Sequence, residues 1–200
     1  MLFRSGLRAF VVTLNARMHE GHWDKVIHRS VELKGRTLGL IGLGVIGQRV
    51  AHIGKAFEMR VIAFDPFAKK VPAGIDVSDF DTVLTKADVL SLHCPLTDQN
   101  RRMINEETLG RMREGAILVN TARGGLVDER AVVAAVQSGK LRAAGLDSFA
   151  KEPLVGPHMF SGVPNIVLSP HVGGVTTDAY VNMGTAAARN VLAVLREAAG

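Results

Sequence analysis

An apolar run over residues 37–41 breaks into Gly42-Leu43-Gly44-Val45-Ile46-Gly47, and helix-compatible residues follow. That order, strand then glycine turn then helix, restricts the chain more than any other segment. Gly42 permits a tight turn. Gly44 lets a pyrophosphate approach the backbone, because no side chain stands in the way. Gly47 lets the helix lie close to the strand. The start of the helix offers free N–H groups and a positive dipole end to phosphate. A G-x-G-x-x-G spacing alone is a weak signal. Here a second apolar run over 60–64 ends on Asp65. An acid about 20 residues on is placed to accept hydrogen bonds from an adenosine ribose. The pattern predicts a bound dinucleotide.

The rest of the chain alternates in the same way. Short aliphatic or β-branched runs predict strands over 37–41, 60–64, 89–93, 116–120, 143–146 and 166–168. Continuous apolar runs, rather than alternating ones, imply strands buried on both faces. Helical patterns cover 46–57, 79–86, 106–112, 129–137 and 178–197, after a helical, basic lead-in. Ser78 with Asp81 three residues later reads as a capping box. Asn105 is placed to cap the helix at 106, and Gly139 to stop the one before it. Alternating strands and helices with short links predict an α/β fold with a doubly wound parallel sheet. One boundary is visible, near Lys34-Gly35-Arg36. It divides the chain into a lead-in, 1–34, and a dinucleotide-binding domain, 35–200, that includes the last helix.

Composition excludes several classes. At 200 residues and 47% hydrophobic content the chain can bury a core. No apolar run is long enough to span a membrane. The single cysteine, Cys94, allows no internal disulfide and fits a reducing, cytoplasmic compartment. The formal charge of +5 is concentrated in residues 1–36, which hold seven Lys or Arg and three Asp or Glu. No basic stripe with interleaved aromatics accompanies it, so no nucleic-acid partner is expected. Arg4, Arg8 and Arg17 in an acid-free start loosely suggest a transit peptide, a weaker reading than the lead-in helix. No histidine has metal-ligand spacing with Cys94, and no metal is expected.

Ligands of doubly wound sheets sit beyond the carboxyl ends of the strands. Three ionisable residues are predicted to share that edge. Arg123 follows the run 116–120, Glu152 follows 143–146 and Asp147, and His171 follows 166–168. Each alone is more readily a surface or structural residue; together they suit one reaction. Reduction of a ketone by a nicotinamide needs a cation and a proton donor near the oxygen that gains charge. His171 can exchange the proton. Glu152 can orient the imidazole and favour its charged form. Arg123 can grip a carboxylate bidentately. The trio suits a 2-hydroxy acid and 2-keto acid pair. His93, at the end of a strand, is a weaker candidate.

The motifs resemble those of the D-isomer-specific 2-hydroxyacid dehydrogenases, a family that includes phosphoglycerate dehydrogenase and hydroxypyruvate reductase. Those motifs are Gly42 to Gly47 with Asp65, Ser91-Leu92-His93-Cys94-Pro95-Leu96-Thr97, Asn120 to Glu129, Leu146-Asp147 with Glu152-Pro153, and Ser169-Pro170-His171-Val172-Gly173-Gly174. The resemblance implies a Rossmann domain with NAD as cofactor, and catalytic roles for Arg123, Glu152 and His171. It implies cofactor contacts at Gly42, Gly44, Val45, Ile46, Gly47, Asp65, Cys94, Pro95, Asn100, Thr121, Ala122, Arg123, Asp147, His171, Gly173 and Gly174, with Asp147 toward the nicotinamide amide. Val45 stands where relatives often carry Arg, Asn100 where they often carry Thr, and Ser148 where they often carry Val. Asp65 disfavours the additional phosphate of NADP, although Lys69 and Lys70 offset part of this.

The resemblance also implies a substrate domain of about a hundred residues ahead of this segment. The chain is expected to begin inside the helix that joins the two, with the substrate domain absent and the site more open to water. Phe3, Leu7 and Phe10 would then be exposed. A homodimer is implied by analogy with relatives. The expected activity is hydride transfer between NAD(H) and a small 2-hydroxy or 2-keto acid. The alternatives are a non-catalytic NAD-sensing or protein-interaction module, as in relatives that act as corepressors, and an inactive fragment.

Overall fold

A computed structural model describes residues 11–25 and 31–198. The expectations for Phe3, Leu7, Phe10, Arg4 and Arg8 lie outside the described residues. Two units are present, one ending at Pro170 and one beginning at His171. Along the chain come α1 (Val11–His19), β1 (Thr37–Ile41), α2 (Val45–Ala56), β2 (Arg60–Phe64), β3 (Asp76–Val77), α3 (Phe80–Lys86), β4 (Val89–Leu92), α4 (Glu106–Arg111), β5 (Ala116–Asn120), α5 (Glu129–Gln137), β6 (Leu141–Leu146), β7 (Ile166–Leu168) and α6 (Thr177–Ala198).

The first unit is built on one seven-stranded sheet in the order β3-β2-β1-β4-β5-β6-β7. Every pairing is parallel. This is the doubly wound architecture expected, with strand order reversing between β1 and β4. Side chains alternate between two cores. Leu38, Leu40, Val61, Ala63, Ile117 and Val119 face the core that includes Ala51 of α2. Ile41, Leu90, Leu92 and Leu118 face the one formed with α3, α4 and α5. Burial on both faces explains why these strands read as unbroken apolar runs. α2 lies close to β1 because Gly47, Ala51 and Gly54 form its buried stripe. A Cβ at Gly54 would stand 2.6 Å from Leu38 Cδ2.

Local chemistry sets the helix ends. Asn105 caps α4, accepting from Thr108 N at 3.1 Å, while Thr108 Oγ1 accepts from Asn105 N at 2.8 Å. Gly139, at φ +83, ends the turn after α5. The expected cap at Ser78 is corrected. Asp79 is the cap of α3, accepting from both Thr82 N and Thr82 Oγ1 at 2.7 Å. Ser78 instead donates its N–H to Ala63 O, continuing the sheet. β6 begins at Leu141, where a bulge at Ala116/Ile117 lets Leu141 pair with Ala116. β3 carries no apolar run, since both its residues are exposed at the sheet edge.

The second unit contains α6. Thr176 Oγ1 accepts from Ala179 N at 3.0 Å and satisfies a first-turn donor of that helix. No helix among the described residues is long and apolar enough to cross a membrane.

Candidate functional site

The strand ends line up. Ile41 pairs with Phe64 and with Leu92, Leu92 with Asn120, Asn120 with Leu146, and Leu146 with Leu168. Because all strands are parallel, the loops that follow these residues leave the first unit at one edge. The reversal of strand order places a crevice between the loops after β1 and β4.

The glycine turn sits at that reversal. Gly42 has φ +98, a conformation open to glycine and strained for other residues. A Cβ there would lie 2.7 Å from the carbonyl of His93, in the loop after β4. A Cβ on Gly47 would lie 2.2 Å from Gly42 O, so the third glycine is required by contact with the first. Gly44 is different: nothing stands within 4 Å of its missing Cβ. It is also the N-cap of α2 and supplies no side-chain cap, and the first turn holds no acid. Val45 and Ile46 are exposed beside it, 71% and 65%. An open approach to the uncapped start of a twelve-residue helix fits a diphosphate. Asp65 completes the fit. Its Oδ2 accepts from Leu43 N at 2.7 Å and its Oδ1 from Phe67 N at 2.8 Å. The carboxylate is thereby fixed beside the turn, with lone pairs left for a ribose diol.

The loop after β4 is self-fastened. Asn100 Oδ1 accepts from Thr97 N at 2.7 Å, and its Nδ2 donates to Pro95 O at 2.8 Å and toward Cys94 Sγ at 3.8 Å. Burial pushes the Cys94 thiol up, and the charge of Asp65 pushes it the same way, so it stays protonated. His93 Nε2 lies 2.9 Å from Ser91 Oγ. Burial lowers the His93 imidazole to about 4, which keeps it neutral and removes it as a proton donor near neutral pH.

The loops after β5 and β6 meet. Asn120, fully buried, organises the first of them. Its Oδ1 accepts from Ala122 N at 3.1 Å and its Nδ2 donates to Arg123 O at 2.9 Å. Thr121 and Ala122 are half-buried, and Arg123 is exposed with its Nη1 donating to Ala122 O at 2.7 Å. The next residue, Gly124, lies flat on the second loop. A Cβ on it would fall 1.9 Å from Phe149 C and 2.3 Å from Ala150 N. Within that second loop Glu152 Oε1 accepts from Phe149 N at 2.8 Å, and the Glu152–Pro153 peptide is cis. Asp147 is 2% exposed, donates its N–H to Asn120 O at 3.0 Å and accepts from Ser169 Oγ. The structure thus brings the Arg123 and Glu152 loops into contact.

His171 opens the second unit directly after Ser169 and Pro170 and holds φ +54. This left-handed conformation is uncommon for a non-glycine residue, and Glu58, Arg102 and Asn165 also adopt it. Gly173 and Gly174 follow it, and a Cβ at Gly174 would meet nothing within 4 Å. Among the described residues, no group of three His, Cys, Asp or Glu is placed to hold a metal. Three residues quoted in the motifs above have roles there that the motifs alone do not reveal: Asn120 as organiser, Ser169 as partner of Asp147, and Glu129, whose Oε1 accepts from Ala150 N at 2.7 Å. The signal for Asn120 was available, since a polar residue closing an apolar strand needs a partner.

Comparison with known proteins decides the lineage. Residues 6–173 match the family described as D-isomer specific 2-hydroxyacid dehydrogenase, NAD binding domain. The chain belongs to this family. Hydroxypyruvate reductase of Thermotoga maritima is 43% identical over 169 residues, 84% of this chain and 55% of that protein. D-3-phosphoglycerate dehydrogenase of Methanocaldococcus jannaschii is 41% identical over 185 residues, 90% of this chain and 35% of that protein. In three dimensions the chain is similar to D-lactate dehydrogenase with NAD+ from Lactobacillus jensenii, at a TM-score of 0.84 and 32% identity, covering 96% of this chain and 62% of that one. The chain therefore spans about a third to three-fifths of the length of these relatives. Its cofactor is that of an NAD-binding domain.

Proposed function

We propose that this chain is the NAD-binding half of a D-2-hydroxyacid dehydrogenase that interconverts a small 2-hydroxy acid and its 2-keto acid. The observation that carries this reading is the open, uncapped start of α2 behind Gly42, flanked by Asp65, at the reversal of strand order. When bound, the nicotinamide donates or accepts the hydride. The chain's own residues do the rest. The Gly44–Ile46 backbone holds the diphosphate, and Asp65 takes the ribose diol and disfavours a phosphate there. The Arg123 guanidinium binds the substrate carboxylate and stabilises charge on the adjacent oxygen. His171 exchanges a proton with that oxygen, and Glu152 accepts from the imidazole and orients it. Asp147 and the Gly173-Gly174 turn border the nicotinamide.

In this reading residues 35–200 form the cofactor domain, 1–34 lead into it, and a substrate domain completes the cleft. The working form is a cytoplasmic homodimer with no nucleic-acid or membrane partner. The names of the relatives recommend hydroxypyruvate, glyoxylate and phosphoglycerate as first substrates. The test is a titration of NADH fluorescence followed by NADH oxidation with each keto acid. Binding with turnover that disappears in His171→Ala supports the proposal. Binding without turnover of any keto acid, by this chain or by the chain joined to a relative's substrate domain, identifies a sensing module instead. Light scattering tests the dimer.

A further inference from the structure

The loop that presents Glu152 is held from outside by a residue with no role in the chemistry above. The Phe149–Ala150 peptide is the point of attachment. One face of it rests on Gly124, where a side chain of any size would collide with Phe149 C at 1.9 Å. Its N–H donates to Glu129 Oε1 at 2.7 Å. Glu129 is the first residue of α5, and Asp128 caps the same helix by accepting from Arg130 N and Ala131 N at 3.1 and 3.2 Å. Glu129 therefore projects from a fixed helix start, six residues after Arg123 in sequence. The neighbouring amide, Phe149 N, is held by Glu152 itself at 2.8 Å. The Phe149 ring is anchored 5.7 Å from the Phe160 ring, in a small core with Leu146. The result is a short relay: α5 to Glu129, Glu129 to the Ala150 amide, and the adjoining Phe149 amide to Glu152.

We infer that Glu129 is a positioning residue, which fixes the Phe149–Ala150 peptide, and through it Glu152, against the loop that carries Arg123. A charge-assisted bond to a backbone amide is stronger and more directional than a neutral one. Without it the peptide keeps its contact with Gly124 and the Phe149 ring its anchor, but the Ala150 N–H loses its acceptor, the peptide rotates more freely, and the carboxylate bonded to the adjacent amide is held less firmly. Glutamine at the same place retains an accepting oxygen at the same reach; alanine does not. The inference rests on the proposed roles of Arg123 and Glu152 only for its effect on turnover.

The experiment compares the full chain with Glu129→Ala and Glu129→Gln by amide exchange and by steady-state kinetics. In Glu129→Ala the Ala150 amide should exchange about tenfold faster or more, while amides of β1 and β4 stay within about twofold. Glu129→Gln should restore most of the protection. In NADH-dependent reduction of glyoxylate, kcat should fall about tenfold in Glu129→Ala with NADH affinity within about twofold, and recover in Glu129→Gln. Unchanged protection at Ala150, or an equal rise across the whole sheet, overturns the inference. So does a loosened loop with unaltered kcat. If neither the unsubstituted chain nor its fusion to a relative's substrate domain turns over any keto acid, the proposed function fails, and the exchange result still decides whether Glu129 holds the loop.

Discussion

Two alanine substitutions in the glycine turn should separate packing from ligand approach. In Gly47→Ala the new methyl would sit 2.2 Å from Gly42 O and 3.1 Å from Gly42 C. An ordinary carbon–oxygen contact is more than an ångström longer than the first of these, and the opposing atom is backbone, which cannot rotate away. Either α2 moves outward or the turn opens. Overpacking of this kind costs about 1–3 kcal/mol, offset in part by the roughly 1 kcal/mol that alanine gains over glycine inside a helix. A 2.2 Å approach to backbone puts the cost at the upper end of that range, so a net loss of about 2 kcal/mol should lower Tm by roughly 4–8 °C in a chain of this size. Gly44→Ala is the opposite case. Nothing lies within 4 Å of the added methyl, and φ −68 with ψ −168 is ordinary extended backbone. Its stability should stay within about 1 kcal/mol: alanine is the poorer N-cap by up to about 1 kcal/mol, and at a compatible φ the lost freedom of the unfolded chain returns about 0.4–1 kcal/mol. The same methyl, however, stands where the diphosphate must approach. NADH affinity should fall about tenfold or more, which is about 1.4 kcal/mol. Thermal denaturation and NADH fluorescence titration on both variants give the four numbers. A Gly44→Ala variant that binds as tightly as the parent, or a Gly47→Ala variant as stable as the parent, would refute the assignment of the two glycines.

Leu118→Ala removes a fully buried side chain from the centre of the sheet and should cost about 2–5 kcal/mol in urea denaturation. His93 sets an acid limit to stability. Its folded pKa of about 4 lies below the unfolded 6.5, so the unfolded chain binds the extra proton between those values and stability declines as pH falls through that window. At pH 5 the decline attributable to His93 should be roughly 2 kcal/mol relative to pH 7, and His93→Gln should flatten it; an unchanged slope in that variant removes the assignment. Cys94, with its thiol pushed up by burial, should react with a thiol reagent more slowly at pH 8 than a free cysteine does, and more slowly again with NADH present. Asp65→Asn should narrow the preference for NADH over NADPH by removing the charge that opposes the extra phosphate, read as the ratio of the two dissociation constants.

Much of this architecture was legible in residue order. Strands 37–41, 60–64, 116–120 and 166–168 have the bounds expected, because each is a largely apolar run and Gly42, Asp65, Asn120 and Ser169 mark their ends. The run at 89–93 overreached by one residue. His93 still donates its N–H to Ile41 O, but β4 proper ends at Leu92. β6 was read two residues short because exposed Arg142 interrupts the pattern, and only the bulge opposite Ala116 shows why Leu141 belongs to the strand. At the site, the glycines and Asp65 were readable because their spacing reflects backbone geometry. Asn100 was expected at the cofactor, and its carboxamide is engaged in fastening residues 95–97 of its own loop. Glu129 and Ala150 are 21 residues apart, and no periodicity in the chain announces that hydrogen bond. Such contacts follow from where β5 and β6 deliver their loops, which is a property of the sheet and not of either segment.

The most direct test is a crystal structure of this chain grown with NAD+. The account predicts the diphosphate on the amides of Val45 and Ile46, the adenosine ribose diol on the Asp65 carboxylate, and the nicotinamide beside Asp147. A dinucleotide bound away from the Gly42–Gly47 turn, or with its ribose turned from Asp65, would contradict it.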